Sequence, residues 1–111
     1  MQSLPTIPQI TPRELKARLD AGDDIFLLDV RELQEREISH IGGEFIPKDT
    51  VVQNLERIPR DREVIVYCRS GGRSQWVAQE LKGKHGFERV LNLSGGMLGW
   101  AKEVDGSVRV G

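Results

Sequence analysis

Cysteine is almost missing from this chain of 111 residues: it has one, Cys68. A lone thiol closes no internal disulfide, and no cysteines stand in pairs at metal-ligand spacing. A secreted disulfide scaffold and a structural zinc site are therefore unsupported, and a reducing, cytoplasmic setting is expected. Charge of one sign is lacking too, the formal net charge being -1 and the pI near 6.1. Without a broad basic field, nucleic acid is not an expected partner, and any electropositive feature must be local. No apolar run approaches the roughly 18 residues a membrane span requires, and the N-terminal stretch has no basic start, apolar centre and small-residue cleavage site. The expectation is a soluble, unprocessed protein with no membrane partner. Repeats and low-complexity linkers are also absent, and the length suits one domain over residues 1–111.

What is present alternates in type. Thr11-Pro12-Arg13-Glu14 reads as a helix start, with Thr11 as cap, Pro12 at the first helical position and Glu14 reaching back; Leu15 and Leu19 share a face and Gly22 closes the helix. Ile25 to Val30 is an apolar run broken by one acid, Asp29, as expected of a strand buried on both faces. Residues 31–36 are charged and helix-friendly, His40-Ile41-Gly42-Gly43 is a turn, and Asp49 to Ile58 is expected as a short helix stopped by Pro59. Arg62 to Tyr67 and Arg89 to Leu93 read as further strands. Between them Ser74 to Leu81 is an amphipathic helix, with Val77, Ala78 and Leu81 inward and Gly86 at its end. A short helix through Trp100 follows Gly95-Gly96, and the tail from Val104 to Gly111 receives no assignment. Strands alternating with helices imply an α/β fold with right-handed crossovers and helices on both faces of a parallel sheet. In such folds ligands bind beyond the carboxyl ends of the strands.

Cys68 stands at such an end, in Tyr67-Cys68-Arg69-Ser70-Gly71-Gly72-Arg73-Ser74. Two glycines allow successive N–H groups to turn inward as an anion-binding nest, the helix beginning near Ser74 adds its positive end, and Arg69 and Arg73 reinforce the field. An unperturbed thiol has a pKa of about 8.5, and each unit of depression needs ~1.4 kcal/mol of differential stabilisation. A nest with two guanidinium groups is a plausible source. The alternative, a small buried hydrophobe at a strand end, fits these electropositive neighbours poorly. Cysteine phosphatases place five residues between cysteine and arginine, so that the loop wraps a tetrahedral phosphate. Here four, Arg69 to Gly72, separate Cys68 from Arg73, and the next position is Ser74. The loop is sized for a single sulfur.

Four segments together resemble a single-domain rhodanese, a sulfurtransferase, over nearly the whole length. They are Leu28-Asp29-Val30-Arg31-Glu32; His40-Ile41-Gly42-Gly43 leading to Ile46-Pro47; the Cys68 loop; and Asn92-Leu93-Ser94-Gly95-Gly96 with Gly99-Trp100. The chain departs from the common His-Ile-Pro-Gly-Ala turn at Gly42 and Glu44. The resemblance implies a five-stranded parallel sheet flanked by helices. It implies a Cys68 thiolate that takes sulfane sulfur as a persulfide and passes it to cyanide, a thiol or a protein acceptor. Arg69, Ser70, Gly71, Gly72, Arg73 and Ser74 would hold the charge, with Arg31 as a further site residue, and neither metal nor organic cofactor is needed. An arginine directly after the cysteine is similar to the thiosulfate-using type. Trp100 to Asp105 is similar to the ends of rhodanese domains fused to adenylyltransferases, which implies a sulfur-carrier protein as a possible acceptor.

The remaining chemistry-bearing residues have plainer readings. Asp29 and Arg31 either line the site or form a structural ion pair. His40 is expected to make a local hydrogen bond and His85 to meet the end of a helix dipole. Trp76 flanks the cleft or not, Trp100 packs in the core, and Glu32, Glu35 and Glu37 form a solvated face or a docking surface. Two rivals remain: a phosphatase or arsenate reductase on the same fold, and a persulfide sensor or docking module that does not turn over.

Overall fold

A computed structural model of the chain describes residues 4–111. Five strands, β1 (Gln9–Ile10), β2 (Ile25–Asp29), β3 (Glu44–Phe45), β4 (Glu63–Tyr67) and β5 (Val90–Leu93), form one sheet in the order β1-β5-β4-β2-β3. Every pairing is parallel. Four α-helices accompany it: α1 (Pro12–Asp20), α2 (Leu33–Ile38), α3 (Gly72–His85) and α4 (Gly96–Glu103). This is the five-stranded α/β architecture expected. The two-residue strands β1 and β3 are too short to leave a periodic signal. The stretch expected as one helix from Asp49 to Ile58 is instead two 3₁₀ segments, Lys48–Thr50 and Val52–Arg57, with a non-helical Asn54 at φ -130° inside the second. Three consecutive β-branched residues, Thr50, Val51 and Val52, lie in the first half of this stretch and disfavour a regular helix.

Helix α1 begins as its sequence directs. Thr11 Oγ1 accepts from the Glu14 amide at 3.1 Å, and Glu14 Oε1 accepts from the Thr11 amide at 2.9 Å. The apolar strands are buried on both faces because each face has its own cover. Leu28, Val30, Val64, Val66, Cys68 and Val90 pack with Val77, Ala78 and Leu81 of α3 and with Val51 and Ile58 of the 3₁₀ stretch. Leu27, Ile65, Tyr67 and Leu93 pack with Leu15 of α1, Met97 and Trp100 of α4, and Val108 and Val110 of the tail. Side chains alternate along a strand. Cys68 therefore continues the series Val64, Val66 and faces α3.

The same alternation sends Asp29 and Arg31 to the other face, beside Tyr67. There they form a fully buried ion pair, with Arg31 Nε 2.9 Å from Asp29 Oδ1 and Arg31 Nη2 2.9 Å from Asp29 Oδ2. Arg31 also donates to the carbonyls of Ser39 at 2.8 Å and Glu35 at 3.4 Å, and Arg36 adds a 3.2 Å contact to Asp29. The Tyr67 hydroxyl donates to the Gly42 carbonyl at 2.8 Å; burial, first, and the nearby Asp29 push its pKa up to about 12. Gly42 lies at φ +91°, which proline cannot adopt, so the turn's departure from the common pattern is a different backbone path. Helix α2 is bolted to α3 by Glu35 and Arg73, whose two parallel contacts are 2.7 and 2.8 Å.

Two stability predictions follow from these pairs. Asp29→Ala strands a buried guanidinium, a loss of about 3–5 kcal/mol. Thermal unfolding of the variant is expected to begin well below wild type, with Asp29→Asn, which keeps an acceptor, between them. The Arg73 guanidinium holds the Glu35 carboxyl down at about 2. A depressed carboxyl contributes stability that is whole above its unfolded value of about 4.3 and fades as pH falls towards 2. Denaturant midpoints measured between those limits should fall more steeply with acid in wild type than in Glu35→Gln.

Candidate active site

β4 delivers Cys68 to the carboxyl edge of the sheet, where the chain turns directly into α3. The thiol is buried, 1% exposed, at the floor of the loop. Its Sγ accepts from the Gly71 amide at 3.1 Å and the Ser74 amide at 3.4 Å, and the Ser74 hydroxyl oxygen stands 3.3 Å away. Burial pushes the thiol up. The Ser74 hydroxyl and the amides of Ser74, Gly71 and Ser70 outweigh that penalty, so the thiol lies below its ordinary value. Hydrogen bonds to the charged form thus do here what a counter-ion does elsewhere.

The start of the loop is held from its far side. The first amides of α4 donate to the loop's carbonyls, Met97 to Cys68 O at 2.9 Å and Leu98 to Arg69 O at 3.0 Å. With the Arg69 carbonyl turned outward, the Ser70 N–H on the same peptide is left to face the sulfur. Approach this close requires Gly96: it lies at φ +55°, and a Cβ there would collide with the carbonyl groups of Cys68 and Arg69. The Gly95-Gly96 pair of the sequence is thus a contact surface for the Cys68 loop.

Of the residues expected at the site, the structure brings the run from Cys68 to Ser74 together and leaves Arg31 out. Arg31 is on the opposite face of the sheet, one residue beyond Val30, which shares the Cys68 face. The ion-pair reading of Asp29 and Arg31 is what the fold displays. Arg73 lies in the first turn of α3, and its guanidinium is paired with the Glu35 carboxylate. Arg69 is exposed at the loop's rim, its Nε 2.7 Å from the Gly111 oxygen. Trp76 is 45% exposed, with Lys48 Nζ 4.7 Å from its ring centroid, and Trp100 is buried as expected. His40 Nδ1 accepts from the Gly42 amide at 2.9 Å, the local bond expected of it. His85 is the last residue of α3.

Two residues escape the sequence reading. Glu35, placed on a solvated face there, is mostly buried against Arg73. Nothing in its spacing from the loop signals this. Asn92 is a buried polar side chain in β5, with Oδ1 2.5 Å from Ser74 Oγ. It was legible in part: Val90 and Asn92 alternate with Leu91 and Leu93, which marks a polar group on one face of an apolar strand.

The family described as Rhodanese-like domain matches residues 11–103. Among curated proteins, the chain is 41% identical over 98 residues to the probable adenylyltransferase/sulfurtransferase MoeZ of Mycobacterium tuberculosis. That match covers 86% of this chain and 25% of MoeZ. The chain thus spans about a quarter of that relative. A protein named sulfurtransferase from Allochromatium vinosum is 35% identical, with 86% of this chain and 90% of that one covered. Among solved structures, a rhodanese-like domain protein from Staphylococcus aureus superposes with a TM-score of 0.80 at 27% identity, covering 95% and 99% of the two chains. The matched span takes in the Cys68 loop, the strand that feeds it and the helix that backs it, and the chain belongs to the rhodanese-like sulfurtransferase family.

Proposed function

We propose that this chain moves a sulfane sulfur from a small anionic donor such as thiosulfate to a thiophilic acceptor through a persulfide on Cys68. The observation that carries this reading is the set of donors converging on one buried sulfur: Gly71 N–H, Ser74 N–H and the Ser74 hydroxyl, all within 3.4 Å. The Cys68 thiolate attacks the outer sulfur of thiosulfate; the S–S bond breaks and sulfite leaves with its electron pair. The new terminal sulfur of the persulfide carries the negative charge. The amides of Arg69, Ser70, Gly71, Gly72, Arg73 and Ser74 are the groups available to hold it. Cyanide, or the thiolate of a small molecule or of a sulfur-carrier protein, then attacks the terminal sulfur, and the bonding pair returns to Cys68 Sγ as thiolate.

Arg69 supports a dianionic donor, since it is an exposed guanidinium at the mouth of the loop. A sulfur-carrier acceptor is supported by the likeness to MoeZ, whose name joins adenylyltransferase and sulfurtransferase. A reducing compartment suits a cycle that depends on a free thiol. No helix among the described residues is long and apolar enough to cross a membrane. Four residues between Cys68 and Arg73, and an Arg73 engaged by Glu35, disfavour a phosphate grip.

Intact mass spectrometry after brief exposure to thiosulfate is expected to record a gain of one sulfur atom, removed by cyanide and absent in Cys68→Ser. No gain, with release of phosphate from an aryl phosphate ester, would transfer the site to the phosphatase reading. The depressed thiol gives a second expectation. A thiol ionises as pH rises through its pKa, so the rate of iodoacetamide alkylation should climb to a plateau with its midpoint below about 8.5. Ser74→Ala removes one donor to the thiolate and should move that midpoint up by about half to one pH unit.

A further inference from the structure

Ser74 carries one hydroxyl proton and has three acceptors in reach: Asn92 Oδ1 at 2.5 Å, Cys68 Sγ at 3.3 Å and Gly71 O at 3.3 Å. It can serve one at a time. The shortest contact is the one to Asn92, and the orientation of the Asn92 amide is not free. Asn92 Nδ2 donates to the Gly71 carbonyl at 3.3 Å and to Gln9 Oε1 at 2.9 Å. Gln9 Nε2 in turn donates to the Ile7 carbonyl at 3.0 Å and to Gln75 Oε1 at 2.8 Å. Backbone carbonyls can only accept, so Gly71 and Ile7 fix the direction of the whole series. Asn92 Oδ1 must face Ser74 as an acceptor.

We propose that Asn92 is a positioning residue: its side-chain oxygen holds the Ser74 hydroxyl proton while Cys68 carries its own proton, and yields it to the sulfur when Cys68 ionises. In the thiol state the lone pairs of Ser74 Oγ are turned towards Sγ, where they can accept from the S–H. On ionisation that S–H proton leaves to solvent, the Ser74 O–H rotates from Oδ1 to Sγ, and no other proton moves. Asn92 Oδ1, buried, then loses its donor. Asn92 thereby opposes ionisation of a thiol that the amides promote, and sets how much of the sulfur is thiolate before a donor arrives. This rests on Cys68 being the reacting sulfur.

The charged groups near Cys68 stay the same throughout. From α3 there is Arg73, paired with Glu35 of α2; from the loop, Arg69; from the 3₁₀ stretch, Lys48 over Trp76; and on the other face of the sheet, the Asp29–Arg31 pair beside Tyr67. β1 and β5 bring no charge. An apolar residue at Asn92 therefore alters no charge; it removes the acceptor of the Ser74 hydroxyl and a donor to the Gly71 carbonyl, and the Ser74→Ala background separates the two.

The test is the pH dependence of iodoacetamide alkylation of Cys68 in the full chain, followed by intact mass. Asn92→Ala should move the midpoint down by about half to one pH unit, the opposite of Ser74→Ala. In a Ser74→Ala background, Asn92→Ala should move it no further. Asn92→Asp keeps an acceptor, adds charge and should move it up. If Asn92→Ala does not fold, Asn92→Val, which suits a strand, takes its place with the same expectation. An unchanged or raised midpoint in the apolar variant, or a shift that persists without the Ser74 hydroxyl, overturns the proposal. Alkylation needs no sulfur transfer. A downward shift in a chain that takes no sulfur from thiosulfate would therefore sink the thiosulfate reading and leave this one standing.

Discussion

The carbonyls of Cys68 and Arg69 are turned away from the sulfur and into the first amides of α4. In a trans peptide the N–H and C=O point in opposite directions, so tying the Arg69 carbonyl to one side of the loop commits the Ser70 N–H to the other, the side of the sulfur. The arrangement needs elements from across the chain. β4 ends at the loop, α3 starts from it, β5 lies beside β4, and α4 follows β5 with Gly96 allowing contact. Two helix N-termini thus meet around one short stretch. α3 turns its first amides to the sulfur, and α4 spends its own on keeping the loop in shape.

What this achieves is a compromise between burial and ionisation. Cys68 belongs by packing to the core beneath α3, among Val66 and Val77, and burial by itself disfavours a thiolate. The compensation comes from neutral donors, while the nearest guanidinium in α3 is occupied by Glu35. Neutral amides stabilise an anion without requiring a counter-ion to be brought in and desolvated with it. A site built this way suits a sulfur that changes its charge in place.

Sequence periodicity revealed the strand–helix alternation, the capping box at Thr11, the inward face of α3 and the loop itself, because each depends on residues close in the chain. The two-residue strands β1 and β3 were not legible, since their pairing is fixed by the neighbours β5 and β2. Arg31 misled for a different reason. It stands at a strand end near the loop, yet side-chain alternation from Val30 sends it to the opposite face. Register between β2 and β4, Leu28 opposite Val66, is what settles the matter, and register is a tertiary fact. Glu35 and Asn92 were missed because their partners, Arg73 and Ser74, are 38 and 18 residues away.

Glu35 also explains how the two faces of the sheet communicate. Its carbonyl accepts from Arg31, a member of the buried polar group beside Tyr67, and its carboxylate grips Arg73 at the start of α3. One residue of a six-residue helix thereby links the ion pair that fixes the end of β2 to the helix that supplies the cradle. The link constrains chemistry as well as position. Four residues separate Cys68 from Arg73, the guanidinium is paired with Glu35, and the groups that donate to the sulfur are backbone N–H groups and one hydroxyl. Such donors suit a single charged atom more than a tetrahedral group that needs a bidentate clamp. The choice between sulfur and phosphorus is therefore expressed as much by the partner of Arg73 as by the length of the loop.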